Sequence, residues 1–203
     1  MILPNEQTII GYNANSGKLQ LENICSNSPA REIEFEIIDS LVHTILYNFE
    51  LKALLIGFSN GRLLQYLLGK RGKLTMDKDY GDIGINCISV STLLGNIAAI
   101  GGTYQNQMKF KKYCRLKLLD MNLKVLVSPN IKTAICSIKS LSFGETSDQI
   151  FLGIAGAVPN YLAERTDIFD AKQLFKNYLL QSNKNKADAF IDHLKLALSL
   201  IHI

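Results

Sequence analysis

The chain has 203 residues, 47% of them hydrophobic and 20% charged, with 14 Gly, 4 Pro and no Trp. That length holds one compact domain or a little more, and that composition excludes wholesale disorder. Lys and Arg number 22 against 18 Asp and Glu, and the net charge of +4 is too mild to imply nucleic acid by itself.

The N-terminal MILPNEQT has no basic n-region and no apolar h-region, so a secretory signal is not expected. No apolar run approaches the roughly 18–20 residues that cross a bilayer as a helix, so no membrane partner is expected. Cys25, Cys87, Cys114 and Cys136 are scattered, without a CxxC pair or zinc spacing. They read as small buried hydrophobes of a reducing compartment, and no usable N-x-S/T sequon occurs. A cytoplasmic location is expected, with the nucleus as the alternative.

In chain order, residues 1–24 hold the apolar run TIIGY around Gly11, a turn at Asn15-Ser16-Gly17 and KLQLE with Leu21. Residues 25–75 hold VHTILY from Val42, LLIGF around Gly57 and LLQYL with Tyr66. Ser59-Asn60-Gly61 between the last two is a hairpin signal, since Asn-Gly readily takes positive φ. Residues 76–128 hold INCISV from Ile85, IAAIGG around Gly101 and LKLLD with Leu119. Residues 129–181 hold IKSLSF from Ile138, a polar turn at Glu145-Thr146-Ser147-Asp148, IFLGIAG around Gly153 and DIFD with Phe169. Residues 182–197 open a further unit with IDHLKL from Ile191.

Three columns therefore recur. The first has apolar residues at positions one, four and six, and its starts are 43, 53 and 53 residues apart. The column glycines are 46, 44 and 52 apart, and the large apolar residues of the third column 45, 53 and 50. One order at similar periods marks a repeat whose small sheets must stack to bury both faces. Four short strands per roughly 40–50 residues predict an all-β fold, the β-propeller. Antiparallel strands are expected at 42–48, 53–58, 85–91, 96–102, 115–119, 138–143 and 150–156.

At these residues the chain resembles the WD40 repeat family. GDIGINCISVS (81–91) is similar to the loop and innermost strand that open a blade. RLKLLDMNLKVLVS (115–128) and TDIFDAKQLFK (166–176) resemble the third strand, which ends in the family's Trp-Asp pair. Asp120 and Asp170 stand where that Asp belongs, and Leu119 and Phe169 replace the Trp. Tyr66 and Leu67 replace both in the second unit, and Leu21 and Glu22 in the first. The family's Gly-His before the innermost strand is missing from every unit. The resemblance implies consecutive four-stranded antiparallel blades of an incomplete propeller, with 1–24 and 182–197 as partial blades. A closed ring in this family commonly has seven, so the chain reads as a fragment of a larger protein. The tail LSLIHI (198–203) is expected to be non-native, since an apolar run without charge or turn residue stands where a turn should come next.

Residues 171–198 also satisfy helical spacing: Leu174, Phe175, Tyr178 and Leu179 would share one face, with Asp170 as N-cap. Register favours strand and propensity favours helix, and the choice stays open.

Chemistry-bearing motifs are few. GYNANSGKL (11–19) has five residues between its glycines and Leu19 after Lys18, so it is a hairpin and not a phosphate loop. His43, His193 and His202 have no partners for a nucleophile or a metal. Asp120 and Asp170 are expected to accept backbone hydrogen bonds in their own turns. No catalytic residue, metal, cofactor or small-molecule substrate is expected.

The repeat is stretched at TYQNQMKFKKY (103–113) and VPNYLAERT (158–166), which fall between the glycine strand and the next. Both are read as loops on one face of the disc, and insertions on a single face mark a binding face. Tyr104, Lys109, Phe110, Lys111, Lys112, Tyr113 and Tyr161 are the candidate partner-binding residues. Mixed aromatic and basic residues suit an acidic or phosphorylated protein segment; the plain alternative is a solvated hairpin. The expected function, on the resemblance, is a non-catalytic scaffold that recruits other proteins. The alternatives are a substrate-holding module of an enzyme whose catalytic domain lies elsewhere, and a basic-loop nucleic-acid surface.

Overall fold

The computed structural model describes residues 8–13, 18–23, 31–33, 40–68, 73–81, 84–91, 97–106, 111–129, 131, 133, 135–145, 149–158, 164–171 and 173. Within them the fold is all-β, with four antiparallel sheets. The first contains β1 (Thr8–Asn13), β2 (Lys18–Asn23) and β3 (Arg31–Ile33). The second contains β4 (Val42–Asn48), β5 (Ala53–Phe58), β6 (Arg62–Leu67) and β7 (Lys73–Asp79). The third contains β8 (Gly84–Ser91), β9 (Ile97–Asn106), β10 (Lys111–Leu119) and β11 (Val125–Val127). The fourth contains β12 (Ser137–Glu145), β13 (Ile150–Ala157) and β14 (Glu164–Asp170). Each sheet is a meander in which chain neighbours pair.

All seven expected strands are present, and β9 and β10 run further than expected. β3 pairs with β2, so the first sheet extends past residue 24, and β7 continues past 75. The outer strand of each meander is laid down before the chain crosses to the next sheet.

The one-four-six pattern has a structural cause. Its spacing of three and then two cannot lie on one face of a strand of period two unless one residue is inserted. The ladders are irregular at Val42/Thr44, Ile85/Cys87 and Ile138/Ser140, so the extra residues are His43, Asn86 and Lys139. The bulge thus occupies the same place in three consecutive sheets. It turns Ile85, Ile88 and Val90 together onto the second sheet, and Ile138, Leu141 and Phe143 together onto the third.

Glycine explains how closely these sheets approach. A Cβ at Gly57 would stand 2.5 Å from Ile85 Cγ2 and 2.8 Å from Thr44 Cγ2. One at Gly101 would stand 2.9 Å from Leu141 Cδ1 and 3.0 Å from Ile138 Cγ2. In both cases the isoleucine that opens the next sheet's first strand sits over the missing side chain.

Counted from the bulges, however, the residue equivalent to Gly57 and Gly101 is Ala155 and not Gly153. Gly57 pairs with Thr44, Gly101 with Cys87, and Ala155 with Ser140. Sequence alignment on the glycine alone misplaces that column by two residues. The third column keeps its register, since Tyr66, Leu119 and Phe169 pair with Leu54, Ala98 and Leu152.

Three apolar clusters lie between consecutive sheets. Leu54, Ile56 and Phe58 face the first sheet, while Leu55 faces the third with Leu63. Every residue of β5 is buried, which accounts for its unbroken run ALLIGF. Each such Leu or Ile contributes roughly 1.5–3 kcal/mol by leaving water. Leu116 and Leu118 face the fourth sheet, where Leu152 and Ile154 meet them.

The first sheet departs from the repeat. Leu21 lies in the same cluster as Tyr66, whereas Leu119 and Phe169 each lie in the cluster shared with the preceding sheet. Ile10 and Tyr12 face the second sheet, and Gly11 is exposed with nothing within 4 Å of a Cβ built on it. The first sheet therefore packs with its opposite face, and Gly11 has no counterpart role to Gly57.

Turns are set locally. Gly61, at φ 90°, closes the β5–β6 turn with its N–H donated to Phe58 O at 3.2 Å. Asp120 Oδ1 accepts the N–H groups of Asn122 and Lys124, both at 2.8 Å. Leu123 in that turn is buried at φ 57°, and its carbonyl accepts the Tyr80 hydroxyl. Burial, and secondarily the Asp120 charge, pushes the Tyr80 hydroxyl well above its ordinary range, so it remains a donor. Asp170 Oδ1 accepts the Gln173 N–H at 3.1 Å, an N-cap bond, and Ala171 and Gln173 are helical. The rest of 172–203 lies outside the described residues.

Gly57→Ala is expected to destabilise by about 1–3 kcal/mol through overpacking against Ile85. Gly11→Ala, in open space at ordinary backbone angles, is expected to be neutral or to stabilise by about 0.4–1 kcal/mol. Urea midpoints of the two variants test the assignment; equal losses would contradict the turned-over first sheet.

Candidate binding edge

The stretched connections and the bulges meet at one edge. Ser59 N donates to Leu41 O at 2.9 Å, so the β5–β6 turn lies beside the start of β4. Cys136 N donates to Ala157 O at 2.9 Å, so the end of β13 lies beside the start of β12. A Cβ at Gly84 would stand 2.7 Å from Ser59 O, which sets the start of β8 against the turn of the preceding sheet. In the second, third and fourth sheets, then, the start of the first strand lies at the same edge as the end of the second. Matching contacts between sheets keep those edges together.

The insertion at 103–113 is not a loop for most of its length. β9 continues to Asn106 and β10 starts at Lys111, with Tyr104 paired to Tyr113, Gln105 to Lys112 and Asn106 to Lys111. Thr103, Tyr104 and Tyr113 are good strand formers, and the ladder simply continues through them. The result is a lengthened hairpin at the entry edge. In the second insertion β14 begins at Glu164, which pairs with Ala157. Lys109, Phe110 and Tyr161 lie outside the described residues.

The bulged residues extend this edge across the sheets, which residue-by-residue reading of the sequence missed. His43 Nδ1 lies 3.2 Å from Asn86 Oδ1, and Asn86 Nδ2 donates to Ile138 O at 3.1 Å. Since the Asn86 amide nitrogen is the donor toward Ile138, its oxygen is left to accept from the His43 Nδ1–H. The clue in the sequence is the three-then-two apolar spacing, which leaves a single surplus residue per strand.

On the fourth sheet the edge carries paired charges. Lys139 Nζ lies 2.7 Å from Glu164 Oε1, which holds the exposed Glu164 carboxyl below its ordinary range. Thr133 Oγ1 donates to Asp167 Oδ2 and also accepts the Ile135 N–H at 3.0 Å, which ties the segment entering β12 to β14. Arg165 Nε lies 2.6 Å from Asp167 Oδ1. The Thr133 hydroxyl first, and Arg165 with it, hold the Asp167 carboxyl below the usual range.

Burial pushes the Cys87 thiol up to about 12, far from a nucleophilic thiolate. Among the described residues, no three His, Cys, Asp or Glu side chains gather in a way that could hold a metal ion. Among them also, no helix is long and apolar enough to cross a membrane. No family model and no curated protein matches the chain.

Asp167 gives a pH test of the edge. A carboxyl whose pKa is lowered by folding adds stability above its unfolded pKa, near 4, and loses it as pH falls through the folded value. Thr133→Val is expected to cost about 1 kcal/mol at pH 7. The gap from the parent should narrow as pH falls below about 4; a gap independent of pH in urea titrations would rule out the Asp167 contribution.

Proposed function

We propose that the chain is part of a WD40-like repeat array and acts as a non-catalytic scaffold that holds a partner protein at the strand-entry edge. One observation carries the reading: the same bulge and first-strand packing recur in consecutive sheets, so connections of one type gather at one edge, where two are lengthened. Repeats that map their insertions to one face commonly bind there. The sequence of 104–113 carries Lys109, Lys111 and Lys112 interspersed with Tyr104, Phe110 and Tyr113. Aromatic anchors among cations suit an acidic or phosphorylated protein segment, with the charges raising the association rate. The resemblance to WD40 repeats supports recruitment over chemistry, and on that analogy the setting is cytoplasmic or nuclear.

The test is binding of a glutamate-rich peptide and its phosphoserine counterpart, measured by fluorescence anisotropy. The combined Lys109→Glu, Lys111→Glu and Lys112→Glu variant is expected to lose at least tenfold in affinity, about 1.4 kcal/mol, with unchanged circular dichroism. Equal affinity in parent and variant would leave the hairpin a solvated surface. Tight oligonucleotide binding with a steep salt dependence would transfer the edge to nucleic acid.

A further inference from the structure

The three bulged residues of the entry edge are engaged differently. His43 bonds to Asn86, and Asn86 to the carbonyl of Ile138, so both tie their own sheet to the next. Lys139 turns to its own sheet instead. Its Nζ lies 2.7 Å from Oε1 of Glu164, the residue that opens β14. β13 runs between the two, and Gly156 and Ala157, opposite Ile138 and Glu164, are too small to block the lysine.

The side chains of this pair are 58% and 68% exposed, against 31% and 44% for Lys18–Glu32 and 30% and 35% for Arg62–Asp77. An ion pair so open to water is worth little, and its carboxylate is readily exchanged for another. The neighbouring Arg165 is held more firmly. Its partner Asp167 is only 14% exposed and also accepts the Thr133 hydroxyl.

Lys139 also stands beside the lengthened hairpin. Ile138, the preceding residue, sits over Gly101, and β9 continues from Gly101 through Tyr104 to Asn106. At about 3.3 Å per residue, Tyr104 is roughly 10 Å along the strand from Gly101, which about three residues of an extended peptide cover. One short segment can therefore touch both.

We propose that Lys139 is a contact for the acidic partner, and that Glu164 occupies it in the free chain in place of the partner's carboxylate. The inference rests on the reading under Proposed function and adds to it a binding residue on the fourth sheet and a built-in competitor. Binding exchanges one carboxylate for another at Lys139 and releases Glu164 to water. Only a partner whose acidic groups extend from the hairpin to the fourth sheet makes that exchange, which discriminates against a segment with a single isolated charge.

Fluorescence anisotropy with the glutamate-rich peptide tests this through a double-mutant cycle. Glu164→Gln is expected to raise affinity roughly two- to fivefold, and Lys139→Met to lower it by a similar factor. In the Lys139→Met background, Glu164→Gln is expected to change nothing. A gain of equal size in both backgrounds is the general effect of removing a negative charge and overturns the proposal, as does no gain in either. If the parent does not bind the peptide, the reading of the edge fails and the exchange with it. If the combined hairpin variant loses affinity while the cycle is flat, only the exchange is overturned.

Carbodiimide cross-linking reads the same exchange in the unsubstituted chain. Without peptide, Lys139 is expected to couple to Glu164, as mapped by mass spectrometry. Saturating peptide should remove that link and join Lys139 to a peptide glutamate. A Lys139–Glu164 link undiminished at saturation contradicts the proposal.

Discussion

The structure depends on a close approach between sheets. Ile85 sits over Gly57, and Ile138 over Gly101, in the space a Cβ would take. Two antiparallel sheets that could otherwise slide past one another are held in one register, because an isoleucine fits only where the side chain is missing. Close packing makes this discriminating: interiors tolerate neither the overlap nor the void that a shifted register would produce. Everything else that repeats from sheet to sheet, including the shared entry edge, depends on that alignment.

The bulges are the second half of the same device. An inserted residue lets positions one, four and six face the preceding sheet together, and it pushes one polar residue per strand out of the ladder. Those residues are His43, Asn86 and Lys139, and two of them bond from sheet to sheet. A feature that serves packing thus also builds the polar line along the entry edge. The Lys139–Glu164 pair at its far end is exposed and adds little to stability by itself, while Arg165 is exposed and its partner Asp167 is partly buried.

Not all of the array obeys the repeat. The first sheet meets the second with the face that the other sheets turn toward their predecessors, so Leu21 and Tyr66 share a cluster. Gly11, lacking a neighbour, is free of the constraint that governs Gly57. Alternation along a strand offers two faces, and either can dock when both carry apolar residues. Ile10 and Tyr12 supply enough apolar surface on theirs to make that choice.

The sequence by itself determined the seven strands expected at 42–48, 53–58, 85–91, 96–102, 115–119, 138–143 and 150–156. Asn60-Gly61 turns the β5–β6 hairpin, the apolar runs became β4, β5, β8, β12 and β13, and Asp120 and Asp170 cap turns at strand ends. These are local matters of turn chemistry and period, carried by residues close together in the chain. Of the candidate edge, the basic and aromatic stretch at 104–113 was legible as an insertion, but its extension as a ladder through Tyr104 and Tyr113 was not. Only the tertiary structure decided that Ala155, and not Gly153, matches Gly101, since the count depends on bulges seen in pairing. It alone also decided that the first sheet is turned over and that His43 reaches Asn86, 43 residues away. A period of two says that neighbouring residues face opposite ways; it cannot say which neighbour each face will meet.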